Sequence, residues 1–287
     1  MNKISMLLPV YNEGRLLRRS LENTMRHVDE AIIVDGSPWG ASTDETANIV
    51  DDFDRLYPGR INYSSGTFVL EGGAWDESAH RNLALSKVTG NILMPHCGDM
   101  IYTDAGMAKM VSAIDRFRNA KIIYCPFVEF WLDQQHVRMY SGNAMEAWYP
   151  VLAISDINFI SMDIVREYEG GPALKLEDYN REDFLYIHDV SRYHYGWITG
   201  FGFQVRKHIR NMTMGAWGDA GVEILASGEQ GIAEWAINHV LGYAQNPCCF
   251  DFHGQPPIRG DYTYLTGYDE TVAEYEEKYG EGFWKDE

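Results

Sequence analysis

Along the first 130 or so residues, short apolar runs alternate with segments whose apolar positions recur every three or four residues. Ile4 to Pro9 is a continuous apolar run and predicts a buried strand. Gly14 to Val28 carries Leu17, Leu21, Met25 and Val28 at helical spacing. Ala31 to Val34 is the next strand-like run. Ser42 and Glu45 have the spacing of a capping box, and the helix behind them places Ala47, Val50, Phe53 and Tyr57 on one face. A third strand follows near Ile61 to Ser64, a helix over Glu77 to Val88, a strand over Asn91 to Pro95, a helix over Asp104 to Arg118 and a strand over Lys121 to Leu132. Strand–helix alternation with unbroken apolar strands predicts an α/β fold built from βαβ units around a mostly parallel sheet buried on both faces.

Open sheets of this kind bind ligands at the carboxyl ends of their strands. Three polar clusters fall at such ends: Tyr11-Asn12-Glu13, Asp35-Gly36-Ser37 and His96-Cys97-Gly98-Asp99. Their convergence, more than any one of them, predicts a site. Beyond residue 133 the pattern loosens. Met139 to Asp163 is aromatic and irregular, and Tyr193 to Trp197 packs four aromatic or imidazole rings into five residues. Helices are predicted over Phe203 to Met212, Gln230 to Leu241 and Thr271 to Tyr279, with a Pro/Gly-rich loop over Cys248 to Gly260. The organisation expected is a ligand-binding core over residues 1–132 and an elaboration of the same domain over 133–287 that contacts a second substrate.

Composition narrows the chemistry. A net charge of −18 repels phosphate backbones and argues against a general nucleic-acid binder. An anionic ligand must therefore be held by a metal, by helix N-termini or by a few placed Arg and Lys side chains. Hydrophobic residues make up 45% of the chain, ample for a core. The longest apolar run at the start, Ile4 to Val10, is too short to span a membrane. Cys97, Cys125, Cys248 and Cys249 form no metal or disulfide framework, so the expected location is the cytosol.

Several of these segments, taken in order, resemble the family 2 glycosyltransferases and their GT-A fold. Leu8-Pro9-Val10-Tyr11-Asn12-Glu13 resembles the family's opening strand and loop. Val34-Asp35-Gly36-Ser37 followed by Ser42 to Thr46 resembles its second, with Pro38 to Ala41 as an insertion and Glu45 where Gly is usual. His80-Arg81-Asn82 with Gly90 to Leu93 resembles the stretch before its metal motif. The resemblance covers residues 4 to 104. It implies transfer of a sugar, with inversion, from a nucleotide-sugar donor, a UDP-sugar, to a hydroxyl acceptor. The family's acidic metal motif departs here to His96-Cys97-Gly98-Asp99, in which only Asp99 keeps a carboxylate and His96 stands in the first acidic position.

The same resemblance implies roles. Tyr11 stacks on the base and Asp35 accepts from it, with Pro9 and Glu13 shaping the pocket; Arg81 pairs with the diphosphate or with a neighbouring carboxylate. Asp99, His194 and His96 are the candidate ligands of Mn²⁺ or Mg²⁺, which would stabilise the departing diphosphate. Asp183, in Arg181-Glu182-Asp183, and Asp178, in Leu176-Glu177-Asp178, are the candidate general bases, with Glu129 a third. Each of these residues also has an ordinary structural reading as a packed ring, a helix cap or a solvated acidic turn. Two other functions remain open: a catalytically inactive nucleotide- or partner-binding domain, and a phage-type enzyme that glycosylates a modified DNA base. The acceptor, whether glycan, small molecule or modified base, is not identified by any of these residues.

Overall fold

A computed structural model describes residues 2–71, 73, 75–116, 122–125, 127–131, 133–138, 149–153, 184–187, 190, 192–196, 201–213, 224, 228–244 and 249–251. The chain divides into two compact units. The first holds residues 1–68, 76–128 and 145–194; the second holds 69–75, 129–144 and 195–287.

In the first unit, β1 (Ile4–Val10), α1 (Gly14–Thr24), β2 (Glu30–Ser37), α2 (Thr46–Leu56) and β3 (Ile61–Thr67) form successive βαβ units, followed by α3 (Glu77–Leu85), β4 (Ile92–Pro95), β5 (Met100–Tyr102) and α4 (Asp104–Arg116). Then come β6 (Ile122–Cys125), β7 (Phe127–Trp131), which crosses into the second unit, β8 (Asp133–Arg138), β9 (Tyr149–Ala153), β10 (Phe184–Tyr186) and β11 (Arg192–His194). The main sheet has the order β10-β6-β9-β4-β1-β2-β3. Its heart, β4-β1-β2-β3, is parallel, and β9 runs antiparallel between β4 and β6. This is the α/β, mostly parallel architecture expected of a GT-A fold.

Packing explains the order. β1 and β2 are buried almost throughout, with Met6, Leu8, Ile32 and Ile33 inaccessible to solvent, as both faces of a central parallel strand demand. Edge strand β3 instead alternates in exposure. Helix α1 lays Leu17, Leu21 and Met25 onto this core. It ends at Thr24, four residues short of the predicted Val28, because the Arg60 guanidinium caps the chain there by donating to the carbonyls of Met25 and Val28.

Two sequence expectations change. The Ser42–Glu45 capping box does not form: α2 begins at Thr46, and the Asp44 carboxylate accepts from the Thr46 amide (2.9 Å) while Ser42 points elsewhere. The single strand expected over Lys121 to Leu132 is two, β6 in the main sheet and β7 paired with β8.

In the second unit, β7 and β8 form a hairpin with Phe130 opposite Val137, and β12 (Cys249–Asp251) pairs with β8 inside the segment expected to be a loop. Helices α5 (Phe201–Thr213) and α6 (Gly228–Ala244) pack together. The helix predicted over Thr271 to Tyr279 lies outside the described residues. Among the described residues, no helix is long and apolar enough to cross a membrane.

Candidate active site

The polar clusters at the strand ends are laced to one another by side chain–backbone bonds. Asn12 sits at φ +52°, the left-handed region that Asn tolerates better than most residues. Its amide donates to the Ser42 hydroxyl at 2.7 Å, and its side-chain oxygen accepts from the Thr43 amide at 2.9 Å. The Glu13 amide donates to Thr46 Oγ1 (3.0 Å) and the Gly14 amide to Asp44 Oδ2 (2.8 Å). The loop after β1 is therefore held by the loop after β2.

Asp35 anchors that arrangement from below. It is fully buried at the end of β2, and its Oδ1 accepts from both the amide (3.0 Å) and the hydroxyl (2.5 Å) of Ser42. Its Oδ2 accepts from the Tyr63 hydroxyl on β3 at 2.9 Å. Burial, and then the bond to Asp35, hold the Tyr63 phenol above its ordinary pKa. Gly36, next along β2, has no room for a side chain: a Cβ there would lie 2.4 Å from the Gly66 carbonyl and from the Phe68 ring.

Pro9 pairs in register with Val34, and Tyr11 follows at the end of β1, its ring 6.2 Å from that of Trp39. The third cluster closes against the first: a Cβ on Gly98 would lie 3.0 Å from Glu13 Cβ and 3.2 Å from its Cγ. Glu13 and Gly98 are thus in direct contact, although 85 residues separate them in sequence. The Cys97 thiol between them is pushed up to about 12, first by burial, then by Asp99 and Glu13, against the pull of Arg81 and Arg192. Those four charges surround the loop after β4.

Asp99 is the centre of this loop. Its side chain is 7% exposed, and Oδ2 lies 3.1 Å from His194 Nε2. The pairing of β11 with β5 delivers this contact. Their antiparallel register sets His194 opposite Met100, the residue after Asp99. Arg192, two residues earlier on β11, is buried and donates to the Pro95 carbonyl at the end of β4 (3.3 Å), which ties the strand under the loop.

His96 lies apart from the pair. Its Nε2 shares a hydrogen bond with Ser20 Oγ on α1 at 2.8 Å, and its ring stacks on Tyr102. Burial, aided by Arg192, lowers its pKa to about 3, so the ring is neutral and packed into the core. Arg81 bonds Glu77 one turn back on α3. Its neighbour His80 is buried, lies 2.7 Å through Nε2 from the Val34 carbonyl, and has its pKa lowered to about 4, chiefly by burial. Glu129 is buried on β7 in the second unit. Asp183 and Asp178 lie outside the described residues.

Among the described residues no three His, Cys, Asp or Glu side chains gather to hold a metal. Asp99 and His194 still fit a hard divalent ion that takes its other ligands from a diphosphate and water. Adjacent ligands about 2.1 Å from an octahedral ion are about 3.0 Å apart, close to the separation seen.

Sequence reasoning put Asn12 in a strand-end cluster without showing what it bonds, and it missed Tyr63, Arg192 and the loop-holding role of Ser42. Of the last three, only Ser42 left a signal, which local spacing made look like a helix cap.

Comparison with known proteins bears on this arrangement. The sequence profile of Glycosyl transferase family 2 matches residues 5–168. No curated protein matches the chain in sequence. Among solved structures, Staphylococcus aureus TarS 1-349 is 12% identical at a TM-score of 0.42, over 85% of this chain and 81% of that one. The mannosyltransferase PcManGT from Pyrobaculum calidifontis, solved with GDP-Man and Mn²⁺, is 15% identical at a TM-score of 0.41, over 85% and 75%. Glucosyl-3-phosphoglycerate synthase from Mycobacterium tuberculosis, solved with Mg²⁺ and UDP, is 19% identical at a TM-score of 0.32, over 44% of each chain. Likenesses this distant carry no assignment of donor, metal or acceptor. The family profile, by contrast, runs across more than half of the chain, through all three strand-end clusters, and the protein is a member of glycosyltransferase family 2, an enzyme of glycosyl transfer.

Proposed function

We propose that the protein transfers a sugar, with inversion, from a UDP-sugar to a hydroxyl acceptor, in the cytosol. The observation that carries this reading is the Asp99–His194 pair at the carboxyl end of the parallel sheet, next to the loops held by Asp35 and Asn12. Ligands of open α/β sheets bind at that edge. Free Cys97 and Cys125 suit a reducing compartment.

The roles divide along the edge. Tyr11 offers a ring face to the base, with Pro9 and Glu13 as walls. Asp35 keeps the loop after β2 in place through Ser42, and supports a uridine preference if the base imide takes over the position of the Tyr63 hydroxyl on Oδ2. Asp99 and His194 hold the divalent ion, which neutralises charge gathering on the departing diphosphate. His96 acts from the core by fixing the loop that carries Asp99. Arg81 supplies positive charge to the same loop. Asp183, ahead of Asp178, is proposed as the base that takes the acceptor proton. The later part of the chain is proposed to receive the acceptor.

The test is turnover of a panel of UDP-, GDP- and ADP-sugars with Mn²⁺, reading release of the nucleoside diphosphate. Turnover highest with a UDP-sugar and suppressed by EDTA is the expected result. Full activity in EDTA removes the metal from the reading; equal turnover of all three removes the uridine preference. Binding of UDP without turnover of any donor, with any acceptor, would favour the inactive binding domain instead, which the loss of the first acidic position motivates.

A further inference from the structure

The insertion Pro38 to Ala41 places a tryptophan on the rim of the site. Trp39 is 57% exposed, a costly position for the largest apolar side chain. Its backbone is nevertheless fixed. The Ser37 hydroxyl accepts from the Trp39 amide (3.1 Å) and donates to the Gly40 carbonyl (2.9 Å), and the Gly40 amide returns to the Ser37 carbonyl (3.3 Å). Gly40 closes the turn at φ +113°, a conformation that suits glycine. Ser37 itself is buried, and its carbonyl accepts from the amide of Phe68, the residue after β3 (2.9 Å). A rigid turn thus presents a ring to solvent, and that ring stands 6.2 Å from Tyr11 at an angle of 45°. Two rings at that separation and tilt make a corner, not a closed stack, and a flat ligand can lie against either face.

We propose that Trp39 is a second wall of the base site, stacking on the nucleobase of the donor opposite or beside Tyr11; this rests on the nucleotide-sugar reading above. Position decides for the base over the rest of the donor. Trp39 follows β2, whereas Asp99 follows β4, and β1 lies between them. The two ends are therefore two strand spacings apart, about 10 Å, which suits a nucleoside laid across the edge with its diphosphate at Asp99 and its base at Trp39. A base imide gains the Asp35 Oδ2 bond only by displacing the Tyr63 hydroxyl from it, one bond for another, so the affinity for the base must come largely from ring contact.

The test is calorimetric titration of the whole protein with UDP and with inorganic pyrophosphate, each with Mn²⁺, for the wild type, Trp39→Ala and Trp39→Phe. Trp39→Ala is expected to weaken UDP by about tenfold or more, in the range of one base-on-ring stack, while pyrophosphate is unchanged and Trp39→Phe keeps most of the UDP affinity. Unchanged UDP affinity in Trp39→Ala overturns the assignment, including the case in which only the acceptor KM rises. Equal weakening of UDP and pyrophosphate overturns it too, since that marks a collapsed loop. If the wild type binds pyrophosphate but no nucleoside diphosphate, the donor reading itself fails, a result distinct from the other two.

Discussion

At the residue scale, the site rests on a few side chains with two or more partners each. Asp99 is the one carboxylate left in the metal motif, and it meets a histidine from a strand 95 residues away. Asp99→Asn keeps the volume and the hydrogen-bonding reach but removes the charge that a divalent ion needs. Donor turnover is expected to fall at least about a hundredfold, as loss of several kcal/mol of charge stabilisation implies, with the melting temperature nearly unchanged; a small loss of turnover would show that the cation is held elsewhere. The same scale shows what the sequence can and cannot disclose. Tyr11, Asp35 and Asp99 were legible as candidates because they fall in polar clusters at strand ends, and His194 because the family resemblance implies a histidine late in the chain. What Asp35 bonds was not legible, because Tyr63 sits on a neighbouring strand and no local spacing links the two. His96 was misleading for a related reason: an imidazole at a motif position reads as a ligand, but its ring packs against Tyr102 and Ser20.

At the scale of elements, the loops after β1 and β2 behave as one piece. The left-handed residue Asn12 is its pivot. Asn12→Ala should cost about 1–2 kcal/mol, from the left-handed backbone of a residue with a Cβ and from the lost bond to the Thr43 amide. Asn12→Gly should recover the backbone part and not the bond. Urea midpoints of the two variants check this; equal destabilisation would put the whole effect in the side chain. Strands β1, β2 and β4 and helices α1 to α3 could be read from apolar periodicity, because burial on two faces or on one stripe imposes it directly. Helix ends could not, since Arg60 decides where α1 stops from across the fold. Nor could the split of β6 from β7, because an unbroken apolar run does not say which sheet each half joins.

At the scale of the molecule, acid stability should reflect buried groups spread across the sheet. Glu30, at the amino end of the sheet, is raised by burial but drawn down to about 2 by bonds from Lys3, Ser5 and Thr89. Its folded pKa is depressed from 4.5, so its contribution is complete above about pH 4.5 and is lost as pH falls towards 2. His80 and His96, lowered by burial from 6.5 to about 4 and about 3, act in the same direction over a higher window: unfolded histidine binds protons first, so stability declines from about pH 6.5 downward. Urea midpoints measured between pH 7.5 and 3 should therefore begin to fall near pH 6.5, well above the window of Glu30. Glu30→Gln should lower the plateau and flatten only the part below about pH 4.5. A plateau that persists to pH 5 would contradict the burial of both rings.

The three-residue ladder of β11 on β5 carries a consequence for how this sequence can change. Because neighbouring side chains on a strand point to opposite faces, what the ladder protects is parity. Outside α4, β6, β9 and β10, which belong to the core and the main sheet, the chain between Tyr102 and Arg192 can gain or lose residues and still bring His194 to Asp99, provided the last three residues dock in the same phase. One residue added or removed inside Arg192–His194 would instead turn the imidazole to the far side and set Tyr193 in its place. Descendants of this gene should therefore vary in length between the elements of the intervening segment and not at all in the count within those three positions.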